Sequence, residues 1–234
     1  MSTPASLECV LFDLDGLLVD SEPLQFRAYR YAFDQYGIEL GMDDWIAWHS
    51  AEASTRRWIE NHHPGLDVEA VRDTKKVYYE ELIASELRLK AGAGALVEAC
   101  AEQFALAVVS ASRRESIEAC LQRFGLRDHF TCLVSGSESE RSKPYPDPYL
   151  AALRGMRVSA AQAIALEDSV TGLRAALAAG LPCVICPDHF IPKPDDAFDR
   201  ATAVTPSLER LSAEELRRIH AAAGNGTVDN DRPA

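Results

Sequence analysis

The residues with the most chemistry to offer sit near the start of the chain. Asp13 and Asp15 are separated by one leucine, follow the apolar run Val10-Leu11-Phe12, and precede Gly16. A short apolar run that stops at acids and a glycine reads as the end of a buried parallel strand. Period-two geometry then sets both carboxylates on one side of the backbone, and Gly16 lets the chain turn away without steric conflict. Like charges this close need a cation, a shared proton or water. A hard divalent ion such as Mg2+, bound through oxygen, satisfies them. The same residues also fit a strand end carrying two solvated turn acids, because Asp and Gly are ordinary turn formers.

Three further groups lie at the ends of apolar runs or in adjoining loops. Ser110 follows Ala105 to Val109, Glu167-Asp168 follows Ala163 to Leu166, and Lys143 opens Lys-Pro-Tyr-Pro-Asp-Pro just before a helical pattern. Each alone has a structural explanation: a turn serine, a helix-capping acidic pair, a solvated lysine. Together they compose one reaction. Asp13 can act as nucleophile and Asp15 as acid and base, with Glu167 and Asp168 as the other metal-side carboxylates. Ser110 and Lys143 can hold phosphoryl oxygens. Lys143 also partly neutralises four carboxylates.

Such a set needs a scaffold that brings distant strand ends together. From Pro23 the pattern turns helical, with Phe26, Tyr29, Phe33 and Tyr36 three or four apart. Asp20-Ser21-Glu22 supply capping oxygens for this helix. Helical patterns continue at 43–49, 52–61 and 67–87, with no strand between Ser21 and Lys90. An all-helical insert this long exceeds a simple crossover and reads as a second domain. Beyond Lys90 strand and helix patterns alternate: strands at 105–109, 132–134, 163–166 and 183–186, with Asp147 as N-cap and Pro148 as the first helical residue of one intervening helix. The expected fold is α/β, a doubly wound, mostly parallel Rossmann-like sheet with an inserted all-helical cap domain. Residues 1–20 and 90–223 form the core, 21–89 the cap, and 224–234 a disordered tail. Sites in such sheets lie at the carboxyl ends of strands.

A formal charge of −12 argues against nucleic acid or an anionic membrane as partner, since both require a basic face. No apolar stretch approaches a membrane span and the start lacks a signal peptide's pattern, so a cytoplasmic location is expected; the protein is also expected to be a monomer. The six cysteines are scattered through strand and helix patterns and read as reduced core thiols. The Cys183-x-x-Cys186 pair falls in a strand pattern, where residues three apart face opposite sides.

With these residues in view, the sequence resembles the haloacid dehalogenase superfamily of Mg2+-dependent phosphotransferases. It looks like the helical-cap branch that holds sugar-phosphate phosphatases and β-phosphoglucomutases. The resemblance rests on Phe12-Asp13-Leu14-Asp15-Gly16, Val109-Ser110-Ala111-Ser112, Lys143-Pro144-Tyr145-Pro146-Asp147 and Leu166-Glu167-Asp168-Ser169 with Gly172, in family order over residues 8–215. It implies an aspartyl-phosphate on Asp13 and protonation of the leaving oxygen by Asp15. It implies Mg2+ held by Asp13 and Asp168, by the Asp15 backbone carbonyl, and by Glu167 directly or through water. Phosphate would meet Ser110, the Ala111 backbone and Lys143. The implied substrate is a small phosphorylated metabolite, a sugar phosphate or sugar-acid phosphate. A signalling receiver domain, its acceptor aspartate later in the chain, has no place for the helical insert. Dehalogenase and phosphonate-cleaving branches lack the second aspartate, present here as Asp15. A binding module without turnover would lose one of these groups. Cap residues that could set specificity are Gln25, Ser50 and Lys75. Where β-phosphoglucomutases place a histidine ten residues after the second aspartate, this chain has Gln25, which favours hydrolysis over phosphoglucomutase-type transfer.

Overall fold

The computed structural model describes residues 5–50, 54–191, 193–194 and 196–225. They divide into two compact units. One comprises the described residues of Met1–Val19, Leu89–Asp188 and Asp195–Ala234, the other those of Asp20–Arg88 and His189–Pro194.

The first unit is an α/β layer structure on six parallel strands: β1 (Cys9–Phe12), β2 (Ala105–Ser110), β3 (Cys132–Ser135), β4 (Ala163–Glu167), β5 (Cys183–Ile185) and β6 (Ala203–Val204). Their spatial order is β3-β2-β1-β4-β5-β6. All of β1 is buried, as a continuous apolar run at the centre of a parallel sheet must be. The side-chain alternation of β1 feeds both faces. Cys9 and Leu11 join one core with Ala107, Val109 and Val134, packed under the helices α7 (Asp147–Met156) and α8 (Val170–Ala178). The helices α5 (Ala93–Ala101), α6 (Arg114–Arg123) and α9 (Ala213–Asn225) complete the unit. Strand order reverses around β1: successive strands β2 and β3 lie on one side, β4 to β6 on the other. Such a switch point opens a crevice at the carboxyl ends of the strands.

The second unit is helical, built from α1 (Glu22–Asp34), α2 (Met42–Ser50), α3 (Thr55–His62) and α4 (Val68–Glu86). Its core is aromatic, with Phe33, Trp45, Trp48 and Trp58 buried beside Ile59 and Val71. The Trp48 and Trp58 rings stack with centroids 5.6 Å apart. A segment remote in sequence completes it: Ile191 is buried in this core, and Phe190 packs on Phe26 at 5.9 Å.

The structure departs from the sequence reading at several ends. The N-cap of α7 is Pro146, and Asp147 is instead its first helical residue, its carboxylate bonded to Arg141 at 3.0 and 3.1 Å. Ser21 caps α1 in position only. Its hydroxyl is buried without a hydrogen-bond partner among the described residues, so the capping oxygen expected there is not used. The two-residue strand β6 carries too little pattern to be read from sequence. Residues 51–53 and the expected tail beyond 225 lie outside the described residues. Among the described residues no helix is long and apolar enough to cross a membrane.

Candidate active site

Strand register brings the acids together. Phe12 is level with Val108 on β2 and Leu166 on β4, so Asp13, one residue further, is beside Val109 and Glu167. The Asp13 amide holds that place by donating to the Leu166 carbonyl at 3.0 Å. Asp13, Glu167 and Asp168 are all buried, and each offers one carboxylate oxygen within 4.8 Å of the others. An oxygen-only, carboxylate-rich set fits a hard divalent cation such as Mg2+.

Two glycines make the close packing possible. Gly16 has φ +85°, and a β-carbon there would overlap the Asp168 carboxylate. At Gly172, a β-carbon would occupy the space of the Glu167 carboxylate. Any side chain at either position displaces an acid of the cluster.

Lys143 lies at the centre of the charge balance. Its side chain is 7% exposed and its ammonium donates to Asp13 Oδ1 at 2.5 Å, Glu167 Oε1 at 2.5 Å and the Val109 carbonyl at 2.8 Å. Burial alone would lower the lysine's proton affinity, but the two carboxylates outweigh it, so the ammonium stays charged well above its ordinary range. Burial pushes the Asp13 carboxyl up; Lys143 opposes this, while Glu167 and Asp15 add to it. A bound divalent cation would favour the ionised form and reverse the rise.

Asp15 turns a different way. Its Oδ2 accepts hydrogen bonds from Ser112 Oγ at 2.7 Å and Ser110 Oγ at 3.1 Å. Ser110 Oγ in turn accepts from the Ser112 amide at 3.0 Å, and Ser135 Oγ donates to the Ser112 carbonyl at 2.7 Å. The β2 turn is thus tied to the end of β3, where Gly136 lets the backbone run against Ala111. The Asp15 carboxylate is not one of the three gathered in the acidic cluster.

The α/β unit therefore brings together Asp13, Lys143, Glu167 and Asp168, and Asp15 with Ser110. Gln25 and Lys75 belong to the helical unit. Gln25 is half-buried early in α1, and the Lys75 ammonium sits 4.0 Å from the Tyr79 ring centroid and 5.0 Å from that of Tyr29. Ser50 ends α2, and its side chain lies outside the described residues. Two participants escaped the sequence reading. Ser112 resembles any turn serine. Tyr149 is fully buried on the apolar stripe of α7 with Ala152 and Leu153, which reads as core, yet its hydroxyl donates to Glu167 Oε1 at 2.6 Å. Its only prior signal is a polar tip in the first turn after Lys143. The two cysteines of the CxxC are free thiols, Cys183 in β5 and Cys186 just beyond it.

Comparison with known proteins agrees with this geometry. Residues 10–186 match the family described as haloacid dehalogenase-like hydrolase. Hexitol phosphatase B of Escherichia coli (strain K12) is 30% identical over 92% of this chain and 99% of its own length. Protein CbbY of Cereibacter sphaeroides is 32% identical over 79% of this chain and 86% of its own. The crystal structure of a CbbY mutant from Rhodobacter sphaeroides with xylulose-(1,5)bisphosphate superposes with a TM-score of 0.77, at 27% identity, over 88% of this chain and 96% of that one. The chain belongs to the haloacid dehalogenase-like hydrolases and is an enzyme of that family.

Proposed function

We propose that the protein is a Mg2+-dependent phosphatase that hydrolyses a small phosphate monoester, a sugar phosphate or sugar-acid phosphate, through an aspartyl-phosphate on Asp13. The observation that carries this reading is the buried trio Asp13, Glu167 and Asp168, their oxygens within 4.8 Å, with a charged lysine bonded to two of them. The names of the relatives, hexitol phosphatase B and a CbbY crystallised with xylulose-(1,5)bisphosphate, support a phosphorylated sugar or polyol as substrate class.

In this reading Asp13, Asp168 and the Asp15 backbone carbonyl hold Mg2+, with Glu167 directly or through water. When bound, the ion neutralises phosphoryl charge and orients the ester. The Asp13 carboxylate attacks phosphorus, the new Asp13 O–P bond forming as the bond to the ester oxygen breaks. Asp15 gives that oxygen its proton. Water then attacks phosphorus, the Asp13 O–P bond breaks, Asp15 takes a proton back, and inorganic phosphate leaves. Lys143, with the Ser110 hydroxyl and the Ala111 backbone, steadies the charge on the transferring phosphoryl oxygens. Gln25, unable to ionise, gives no imidazole-like switch for Asp15, so hydrolysis is favoured over isomerisation.

The test is a phosphate-ester panel that includes β-glucose 1-phosphate with catalytic 1,6-bisphosphate, run with Mg2+ and with excess chelator on wild-type protein and Asp13→Asn. Free phosphate should appear only with wild-type protein and Mg2+. Near-normal turnover by Asp13→Asn, indifference to chelator, or isomerisation outrunning phosphate release by about tenfold would remove the assignment.

A further inference from the structure

We propose that Tyr149 is a positioning residue whose hydroxyl shares the Glu167 carboxylate with Lys143 and so sets how far the Lys143 ammonium is available at Asp13. This deepens the phosphatase reading and rests on it.

An ammonium has three N–H groups, and those of Lys143 are directed to Asp13 Oδ1, Glu167 Oε1 and the Val109 carbonyl. To meet a phosphoryl oxygen at Asp13, Lys143 must loosen one of these bonds. How easily it does so depends on the pull of Glu167, which is 0% exposed, so bulk solvent does not screen its charge. Glu167 is satisfied unevenly. Oε1 takes two short bonds, from Lys143 at 2.5 Å and Tyr149 at 2.6 Å. Oε2 takes two long ones, from the Asp168 amide at 3.3 Å and Ser169 Oγ at 3.4 Å. The Tyr149 hydroxyl is therefore the only other short donor, among the described residues, to the oxygen that binds Lys143. Burial raises the phenol's proton affinity far above its ordinary value, which keeps it a donor. The ring itself lies under the ammonium, with Nζ 5.2 Å from its centroid. Gly172 packs against the carboxylate, so Glu167 cannot swing away to find another partner. Without the hydroxyl, Oε1 carries more uncompensated charge and draws Lys143 toward itself and away from the phosphoryl group.

Tyr149→Phe keeps the ring and its packing and removes only this donor. With p-nitrophenyl phosphate at saturating Mg2+, its kcat should fall about tenfold, the scale of one charge-assisted hydrogen bond, while KM and the Mg2+ half-saturation concentration stay within about twofold. In a Glu167→Gln background, where the oxygen is no longer charged, the same substitution should change kcat by less than about twofold, as coupling through Glu167 requires. The lysine ammonium NMR signal, assigned by its loss in Lys143→Arg, should shift in Tyr149→Phe without any substrate. An unchanged kcat and ammonium signal would overturn the proposal. So would an equal loss in both backgrounds, a loss explained by a raised Mg2+ requirement, or a Tyr149→Phe protein that fails to fold. Wild-type protein inert toward p-nitrophenyl phosphate and toward every ester of the panel would instead sink the phosphatase reading, with the ammonium shift still deciding the Tyr149 contact.

Discussion

Lys143 illustrates how far a side chain's role depends on its surroundings. A lysine in front of a proline-rich turn fits a solvated cation as well as a partner for the acids of the site, and here it is buried between two carboxylates. Removing one partner of such a group leaves the others charged and unpaired, which costs about 3–5 kcal/mol. Lys143→Met is therefore expected to destabilise the fold by that amount near neutral pH, and not merely to slow turnover. Its activity should drop about a hundredfold, typical for one electrostatic group at a developing charge. Added Mg2+ should recover part of the stability, because it supplies the missing positive charge, and none of the rate. Denaturant titrations and initial rates with and without Mg2+ check this; unaltered stability with less than about threefold loss of rate would return Lys143 to the role of a loop cation.

Element ends differ in how well they are satisfied, and stability should register the difference. Asp67 caps α4 by accepting from the Glu69 and Ala70 amides at 3.0 and 3.1 Å. Asp67→Ala should lower stability by about 1 kcal/mol. Ser21 stands at the same position of α1 but its hydroxyl bonds to nothing among the described residues. Ser21→Ala should be neutral or slightly stabilising, since a buried unsatisfied group is lost. Chemical denaturation of both variants compares them directly. Near the other terminus, His220 on α9 donates from Nε2 to the Ala161 carbonyl at 3.0 Å, which requires a proton on Nε2. Burial pushes this imidazole below its ordinary value. Above a pH of about 6.5 folded and unfolded chains both carry neutral histidine and burial of the uncharged ring contributes fully. As pH falls through that value the unfolded chain binds protons first, so the contribution is lost. Relative to His220→Gln, wild-type protein should be more stable by about 1 kcal/mol at pH 7.5, and the gap should close toward pH 5. A gap that widened in acid would contradict the burial argument.

At the scale of the whole molecule, metal binding at the acidic cluster would be linked to folding. Three buried carboxylates with one lysine carry net negative charge, and an ion that binds only the folded form stabilises it by mass action. Mg2+ at about a hundredfold over its dissociation constant should add about 2.7 kcal/mol to the unfolding free energy. Asp13→Asn should remove most of that gain while leaving the metal-free protein no less stable, because it also deletes a buried charge. Thermal melts against Mg2+ concentration provide the measurement, and a wild-type melting temperature indifferent to the ion would count against the metal site. The buried cysteines contribute nothing comparable. Burial pushes the Cys9, Cys100 and Cys120 thiols up to about 12, leaving them protonated and inert in the folded state.

What the chain determines by itself is whatever is encoded within a few neighbouring residues. The apolar run before Asp13 and the turn at Gly16 are local signals of this kind. So are the helical periods of α1 and α4, and the alternation of strand and helix beyond Lys90. They predicted a parallel α/β layer with its acids at strand ends, which is the architecture observed. The parts that were not legible join residues far apart. The motifs put Lys143 and Ser110 with the acids but not which oxygen each bonds: the Lys143 to Asp13 bond spans 130 positions and the Ser110 to Asp15 bond spans 95. The placement of Ile191 in the helical core and the turn of the Tyr149 hydroxyl toward Glu167 are of the same sort. No periodicity announces them, because a buried tyrosine on a helix stripe looks the same whether its hydroxyl meets a carboxylate or a carbonyl. Only the register of β1 against β2 and β4, and the packing of α7 on that sheet, decide which polar groups are close enough to bond.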